Sequence, residues 1–328
     1  MKLKKYFLLI CVFIFSLSSC GSFSKQQDSD SAKQDSTLTA QDSKSLILDG
    51  NTIRTRYKEP EDFKRVSVAP GSFEEFLQNL PLKPIDTLPK LYNGEIKQDS
   101  LMGFSSVVDM DIDSIDIQHS HESIIRLRAE YLYKTKQFDK ISFIVKGNIP
   151  LDFNRWLQGY RIEASGNNLK LKKINQEIKM NQENFRAYLR DVFYYTDAES
   201  FRKNLRLIKD DDNNNEFGIG TIIMSNHAPY YTVIVVDMIE MTETHPYGYS
   251  EEPGVLVATG NSPAQEIAIV RGYDWLGIFP KNRGDNWKED AGSIWISHTK
   301  GERQMQKQGG NIDIGLKSIN NKKLFKFN

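Results

Sequence analysis

The sequence has 328 residues, of which 39% are hydrophobic and 26% carry a charged side chain. Lysine and arginine together number 43, and aspartate and glutamate also number 43, so the formal net charge at pH 7 is zero. This balance argues against bulk electrostatic binding to nucleic acid or to an anionic membrane, because both depend on an excess of basic side chains.

The first twenty residues contain the parts of a secretory signal in the usual order. Three lysines within the first five residues precede an almost unbroken apolar run at 8–17, and small residues then lead to Cys20. The apolar run is too short to span a bilayer as a helix. Leu17-Ser18-Ser19-Cys20 resembles a bacterial lipobox, which implies cleavage before Cys20 and lipidation of that cysteine. An ordinary signal peptide with an incidental cysteine is the alternative.

The sequence predicts a signal peptide, a linker and one domain, and the positions of the two cysteines bear on this division. The other cysteine, Cys11, lies inside the signal, so the chain after Cys20 offers no disulfide, thiolate metal site or cysteine nucleophile. Residues 21–45 are mostly Ser, Gln, Asp, Lys and Thr, and such a segment cannot bury enough apolar surface to offset its ordering entropy. We predict a signal peptide at 1–19, a lipidated cysteine with a disordered linker at 20–55 and one domain at 56–328. The lipid would anchor the protein to a membrane of the bacterial cell envelope, and the sequence is compatible with either leaflet.

Helical spacing of apolar residues predicts the helices of this domain. Ser72 is a plausible N-cap with Glu75 three residues later, and Pro81 ends the helix that they begin. The predicted helices lie at 72–80, 120–133, 181–195 and 201–208, and strands lie among them at 105–112 and 141–145.

The predicted sheet lies towards the C-terminus. Four β-rich runs separated by Pro, Gly, Asn and Ser indicate an antiparallel meander, and a short strand near the end follows them. These runs are 221–224, 231–238, 255–260 and 266–270, and the short strand is 323–327. Helices first and strands later predict an α+β fold, with N-terminal helices packed on a C-terminal antiparallel sheet.

Several phrases of the sequence look familiar together. Among them are Arg126-Leu127-Arg128-Ala129-Glu130 and Val233-Ile234-Val235-Val236-Asp237. The others are 76–84, 109–111, 116–118, 155–156, 159–161 and 262–267. In this order and spacing, from about Tyr57 to about Val270, they resemble the DUF4846 family, a domain of unknown function found mostly in bacterial lipoproteins.

The resemblance implies a chemistry. Members usually have a cysteine that opens the Arg-Leu-Arg-Ala-Glu helix, a later Gly-Asp turn, and a Gly-His pair that enters the Val-Ile-Val-Val-Asp strand. This arrangement resembles papain-like and NlpC/P60-like hydrolases. A helix N-terminus favours a thiolate, and a facing imidazole can shuttle its proton. The resemblance therefore implies a papain-like outline for the fold.

This chain departs from the family pattern at each of those positions. Ser120 replaces the cysteine, Gly220-Thr221 replaces the Gly-Asp turn, and Tyr230-Tyr231 replaces the Gly-His pair. A serine hydroxyl needs a positioned base, and the phenol of Tyr231, with an ordinary pKa of about 10, is a poor base at neutral pH. We therefore expect a degenerate, non-catalytic cleft without a cofactor, which binds a peptide, a glycan or a protein partner.

An enzyme is the alternative function. A hydrolase or acyltransferase would use Ser120 with His227 or His121 as its base, and Gln118 or Gln265 would serve as an orienting or oxyanion group.

The histidines around Ser120 have two other interpretations. His119 and His121 would be solvated residues of the first helical turn, with Ser120 as the N-cap. Together with His227 they could instead hold zinc through three nitrogen ligands, but their spacing matches no familiar zinc signature, so we expect no metal.

Overall fold

Helices and strands alternate along the chain in the computed structural model, which describes residues 46–59, 63–96, 104–166, 168–208, 216–225, 232–242, 254–270, 296–297 and 322–328. The predicted signal peptide and most of the predicted linker lie outside these residues. The described strands pair in antiparallel ladders, so the fold mixes α and β structure with antiparallel sheets. None of the described helices combines the length and the apolar character that a membrane span needs.

The three best-defined predicted helices are confirmed within two residues at each end. The described helices are α1 (Ile53–Arg56), α2 (Phe73–Gln78), α3 (Ser120–Lys134), α4 (Phe153–Leu157), α5 (Gln182–Tyr194) and α6 (Ala198–Lys203). Two short 3-10 turns are at Phe138–Lys140 and Lys146–Asn148. As predicted, Ser72 caps α2, because its hydroxyl accepts the Glu75 N–H at 3.1 Å.

The prediction of one helix over 201–208 is wrong in its second half. Asn204 ends α6: its amide donates to Ser200 O at 2.9 Å and to Ile144 O at 3.0 Å, and its Oδ1 accepts the Ile144 N–H at 2.7 Å. The chain then continues as a strand, Leu205–Ile208, which pairs with the C-terminal strand. A partner more than a hundred residues away therefore decides the conformation of this segment.

Most of the described strands belong to one sheet. The strands are β1 (Phe63–Arg65), β2 (Phe104–Val107), β3 (Ser142–Val145), β4 (Ile149–Asp152), β5 (Tyr160–Ser165), β6 (Asn168–Lys173), β7 (Leu205–Ile208), β8 (Ile222–Ser225), β9 (Thr232–Met241), β10 (Gly254–Thr259), β11 (Ala268–Val270), β12 (Ile296–Ser297) and β13 (Lys322–Phe327). The order across the main sheet is β2-β11-β10-β9-β8-β13-β7, with β1 also paired to β9 and β12 to β10.

The meander predicted for β8 to β11 is confirmed, since these four strands are neighbours in chain order and pair antiparallel. The hairpins β3–β4 and β5–β6 were not expected. Because β1 to β6 precede α5, the predicted separation into helices first and strands later is not found.

The side chains of β9 and β10 alternate between two buried clusters. Ile234 and Ala258 belong to the large cluster that includes Ile124 and Leu127 of α3. A smaller cluster, which includes residues of β7, β8 and β13, contains the side chains that point to the other face, namely Val233, Val235, Val255 and Val257. The start of β9 and the end of β10 therefore share a core with α3, and this arrangement positions the candidate site.

Candidate functional site

The site begins at the N-terminus of α3. His119 is the N-cap residue, with extended backbone angles, and Ser120 is the first residue of the helix. The His119 N–H donates to Glu122 Oε2 at 3.1 Å, so a side chain of the first turn satisfies a donor at the cap. The expectation that Ser120 is the N-cap is wrong by one residue. The Ser120 side chain instead belongs to the first helical turn and is 9% exposed.

His119 is held by an acidic neighbour. Its Nε2 lies 3.0 Å from Asp116 Oδ1, and the same carboxylate oxygen accepts the Ala264 N–H at 2.6 Å. Asp116 therefore joins the cap of α3 to the loop that precedes β11. The imidazole is partly exposed, in agreement with the solvated position expected for it.

His121 differs from that expectation, since it is partly buried and packs against another helix. Its ring packs edge-on against Phe201 of α6, with 5.0 Å between the ring centroids. Burial, reinforced by the charges of Arg202 and His119, lowers the pKa of His121 to about 4. The ring is therefore neutral at pH 7 and is a weak base.

Ser120 receives no base from the part of the chain that the structure describes. Within that part, no imidazole makes a hydrogen bond with Ser120 Oγ, and no three His, Cys, Asp or Glu side chains are grouped to hold a metal ion. His227, Tyr231 and Cys20 lie outside the described residues. The roles suggested for these three residues stay predictions.

The two glutamines suggested as supporting groups are both buried. Gln118 Oε1 accepts a hydrogen bond from Arg126 Nη1 at 3.2 Å, so this amide orients an arginine of α3. Gln265 is fully buried, and its Nε2 donates to Glu266 O at 3.4 Å. Its Oε1 has no hydrogen-bond partner among the residues that the structure describes. Gln265 is thus the amide with an acceptor still available.

Thr221 lies near the other end of α3. Its Oγ1 accepts the Gly218 N–H at 3.0 Å, in the turn that enters β8. A Cβ on the adjacent Gly220 would lie 3.8 Å from Phe73 Cδ1, and the Phe73 ring is 5.3 Å from that of Tyr131. Tyr131 is eleven residues into α3, about 16 Å along the axis from its start. The structure therefore does not bring Thr221 together with Ser120.

Two hydroxyls that sequence reasoning missed lie beside the start of α3. A Cβ on Gly260 would lie 2.1 Å from Ser123 Oγ and 3.0 Å from His119 O, so the chain after β10 passes very close to the helix. The register that pairs Ala258 with Ile234 places Gly260 opposite Thr232 and on the same face. The hydroxyls of Ser123 and Thr232 are buried, and neither has a hydrogen-bond partner among the described residues.

Unsatisfied buried hydroxyls cost about 1–3 kcal/mol each, so a group of them needs an explanation. The sequence carried a faint signal for both. Ser123 follows Ser120 by one helical turn, and Thr232 follows Tyr231 directly. Together with Gln265 Oε1, they are buried polar atoms without a hydrogen-bond partner among the described residues.

Glu122 is the titratable group of this site that sequence reasoning also missed. Burial raises its pKa to about 7, partly offset by hydrogen bonds from the backbone and by the charges of His119 and Lys146. Its Oε2 lies 3.8 Å from His119 Nδ1. The start of α3 therefore changes charge near neutral pH through a carboxyl group that already caps the helix.

Comparison with known proteins tests the resemblance seen in the sequence. The family DUF4846, described as a domain of unknown function (4846), matches residues 53–278, which is well over half of the chain. No curated protein and no solved structure matches the chain. The match contains α1 to α6 and extends beyond β11, so it includes the site at the start of α3. The chain therefore belongs to the DUF4846 family.

Proposed function

We propose that this protein is a lipid-anchored, non-catalytic binding module of the bacterial cell envelope. Its papain-like cleft, at the start of α3, would take a peptide, a glycan or a protein partner. One observation carries the non-catalytic part: Asp116 holds His119, and His121 packs against Phe201 with a pKa of about 4. A serine hydroxyl without a positioned base is a poor nucleophile at neutral pH.

Binding is supported by the polar atoms that remain unpaired beside the helix. Ser123 Oγ, Thr232 Oγ1 and Gln265 Oε1 are buried without partners among the described residues. Each of these side chains is at most 1% exposed, so a peptide or a glycan would supply the missing hydrogen bonds only by displacing the packing around them. Such groups fix the orientation of a ligand more than they add affinity.

A fluorophosphonate probe tests the absence of catalysis in the full-length chain. Because Ser120 has no described base, we expect no covalent adduct at Ser120 by mass spectrometry, and equal labelling of the Ser120→Ala variant. An active serine hydrolase of known activity, treated in parallel, shows that the probe reacts. A stoichiometric adduct at Ser120 would contradict the proposal.

One observation favours the enzymatic alternative. Ser120 begins a helix of 15 residues, whose N-terminal field stabilises negative charge. If labelling of Ser120 did occur, loss of the adduct in His121→Gln or in His227→Gln would identify the base. A hydrolase or acyltransferase would then replace the binding module as the function of this cleft.

A further inference from the structure

Two adjacent cavities lie along the C-terminal half of α3, away from Ser120. Their volumes are about 300 and about 350 Å³. Both are lined by Arg128, Lys140 and Phe327, and we call the two together the Arg128 groove. Arg128 lies eight residues after Ser120, about 12 Å along the helix axis, so the groove is separate from the proposed cleft.

Aromatic rings surround the guanidinium of Arg128. Its central carbon lies 5.0 Å from the ring centroid of Phe73, 5.5 Å from that of Tyr131 and 5.6 Å from that of Phe327. Cation–π contacts hold the side chain in place but leave its N–H donors free. Within the described part of the chain, Arg128 makes no ion pair and no side-chain hydrogen bond.

This environment is unusual for an arginine. Arg128 is partly buried, so its charge has lost part of its hydration, and this burial lowers its pKa. The guanidinium nevertheless stays protonated, since no protein environment removes its proton at neutral pH. A partly desolvated cation without an anion is costly, and an anionic ligand would remove that cost.

The other charges of the groove are mostly positive. Lys326 lines one cavity and Lys203 lines the other, while Lys140 lines both. Lys203 also pairs with Glu199 at 3.1 Å. Glu74 is the single carboxylate side chain among the lining residues, and its charge acts on Arg128 from beyond ion-pair distance. In a chain with no net charge, this local excess of cations stands out.

We propose that the Arg128 groove binds a phosphate group, with Arg128 as the central ligand and Lys140 and Lys326 beside it. The planar fork of a guanidinium matches the oxygens of a phosphate, and the three stacked rings keep the fork in a fixed orientation. Several cations around one arginine suit a group that carries about two negative charges better than they suit a single carboxylate. The phosphate can be free or can belong to a lipid headgroup.

Titration of the full-length chain with inorganic phosphate at low ionic strength tests this proposal. Arg128→Met keeps the apolar stem against the rings but removes the charge and all five donors. We expect it to weaken phosphate binding at least about tenfold, as the loss of a charge-assisted hydrogen bond requires. Lys326→Gln, a half-exposed position, should weaken it about two- to fivefold.

Arg155→Met is the matched control. Arg155 also stacks on an aromatic ring, that of Tyr160 at 5.0 Å, but it is exposed and lies outside the groove. This variant should bind phosphate as the parent does. Unchanged far-UV circular dichroism would show that Arg128→Met is folded, and the Lys326→Gln result stands if it is not.

Two further titrations identify the source of the phosphate. Monomeric dihexanoyl phosphatidic acid carries the group on a lipid, and dihexanoyl phosphatidylcholine masks it with a choline. Tighter binding of phosphatidic acid than of inorganic phosphate, lost in Arg128→Met, indicates a lipid headgroup, whereas equal binding indicates free phosphate. The proposal fails if neither inorganic phosphate nor phosphatidic acid binds. It also fails if the Arg128→Met and Arg155→Met variants bind these two compounds equally well.

Discussion

Glu122 shows how the fold changes the chemistry of one residue. The sequence places it in the first turn of α3, where a carboxylate is favoured by the helix dipole. The tertiary structure buries its side chain to 6% exposure, and burial raises its pKa to about 7. An acid whose pKa is higher in the folded state binds a proton more tightly there than in the unfolded chain, so folding is favoured most at low pH.

The raised pKa of Glu122 predicts how the stability of the fold depends on pH. Between about pH 4.5 and pH 7, folded Glu122 keeps its proton while the unfolded chain has lost it. The free energy of unfolding should therefore fall with rising pH by up to about 1.4 kcal/mol per pH unit from this group. Glu122→Gln should remove this slope and unfold at higher urea concentration than the parent at pH 8. Urea denaturation at several pH values measures both.

Glu183→Gln is the control, because Glu183 occupies the first turn of α5 but is exposed. It should leave the slope in place. A Glu122→Gln variant with the same pH profile as the parent would show that Glu122 ionises normally in the folded protein.

At the scale of elements, α3 and the chain at the end of β10 come very close together at the candidate site. Gly260 allows it, since a Cβ there would overlap Ser123 Oγ at 2.1 Å. Gly260→Ala should therefore destabilise the protein by about 1–3 kcal/mol, the usual cost of overpacking. Ser123→Ala removes a buried hydroxyl that has no partner among the described residues, so it should be neutral or stabilising by up to about 1–3 kcal/mol. The double variant should recover part of the loss, as measured by urea denaturation.

Gly218→Ala provides the matched control. An added Cβ at Gly218 meets no atom within 4 Å, and its backbone is not in the left-handed region. This variant should be neutral or slightly stabilised, because alanine lowers the entropy of the unfolded chain. Equal destabilisation by the Gly260 and Gly218 variants would show that the close approach is not the cause.

The elements differ in how well the sequence predicted them, and the difference is physical. The helices α2, α3 and α5 carry caps and an apolar stripe, which act within a few residues. The hairpin β5–β6 does alternate polar and apolar residues, which is the pattern of a half-exposed strand, so its two strands were open to prediction but were not expected. The strand β7 depends on β13, a partner that no local window contains.

At the scale of the whole molecule, the predicted lipid anchor would decide where the domain works. We predict that metabolic labelling with an alkyne-tagged palmitate marks the full-length protein, because a lipidated cysteine carries acyl chains that hold the protein to a bilayer. Cys20→Ala should abolish the label. Globomycin should leave the uncleaved precursor, visible as a larger band on a gel.

Cys11→Ala is the control for this experiment, since Cys11 lies inside the predicted signal and is absent after cleavage. It should keep the palmitate label in full. Label that persists in Cys20→Ala would show that the anchor is elsewhere, and an ordinary cleaved signal peptide would give no label in any variant.

The sequence by itself determined the family, the main helices and the meander, because each shows in local sequence pattern, but it placed the N-cap of α3 at Ser120, one residue too late. It placed Ser120, His119, His121 and Gln118 near one another because they are close in sequence. Only the tertiary structure decided that His121 packs against Phe201 and that Thr221 lies near the other end of α3 from Ser120. It also decided that Arg128 faces rings rather than a carboxylate. Partners of this kind come from distant segments, so burial and long-range packing set them.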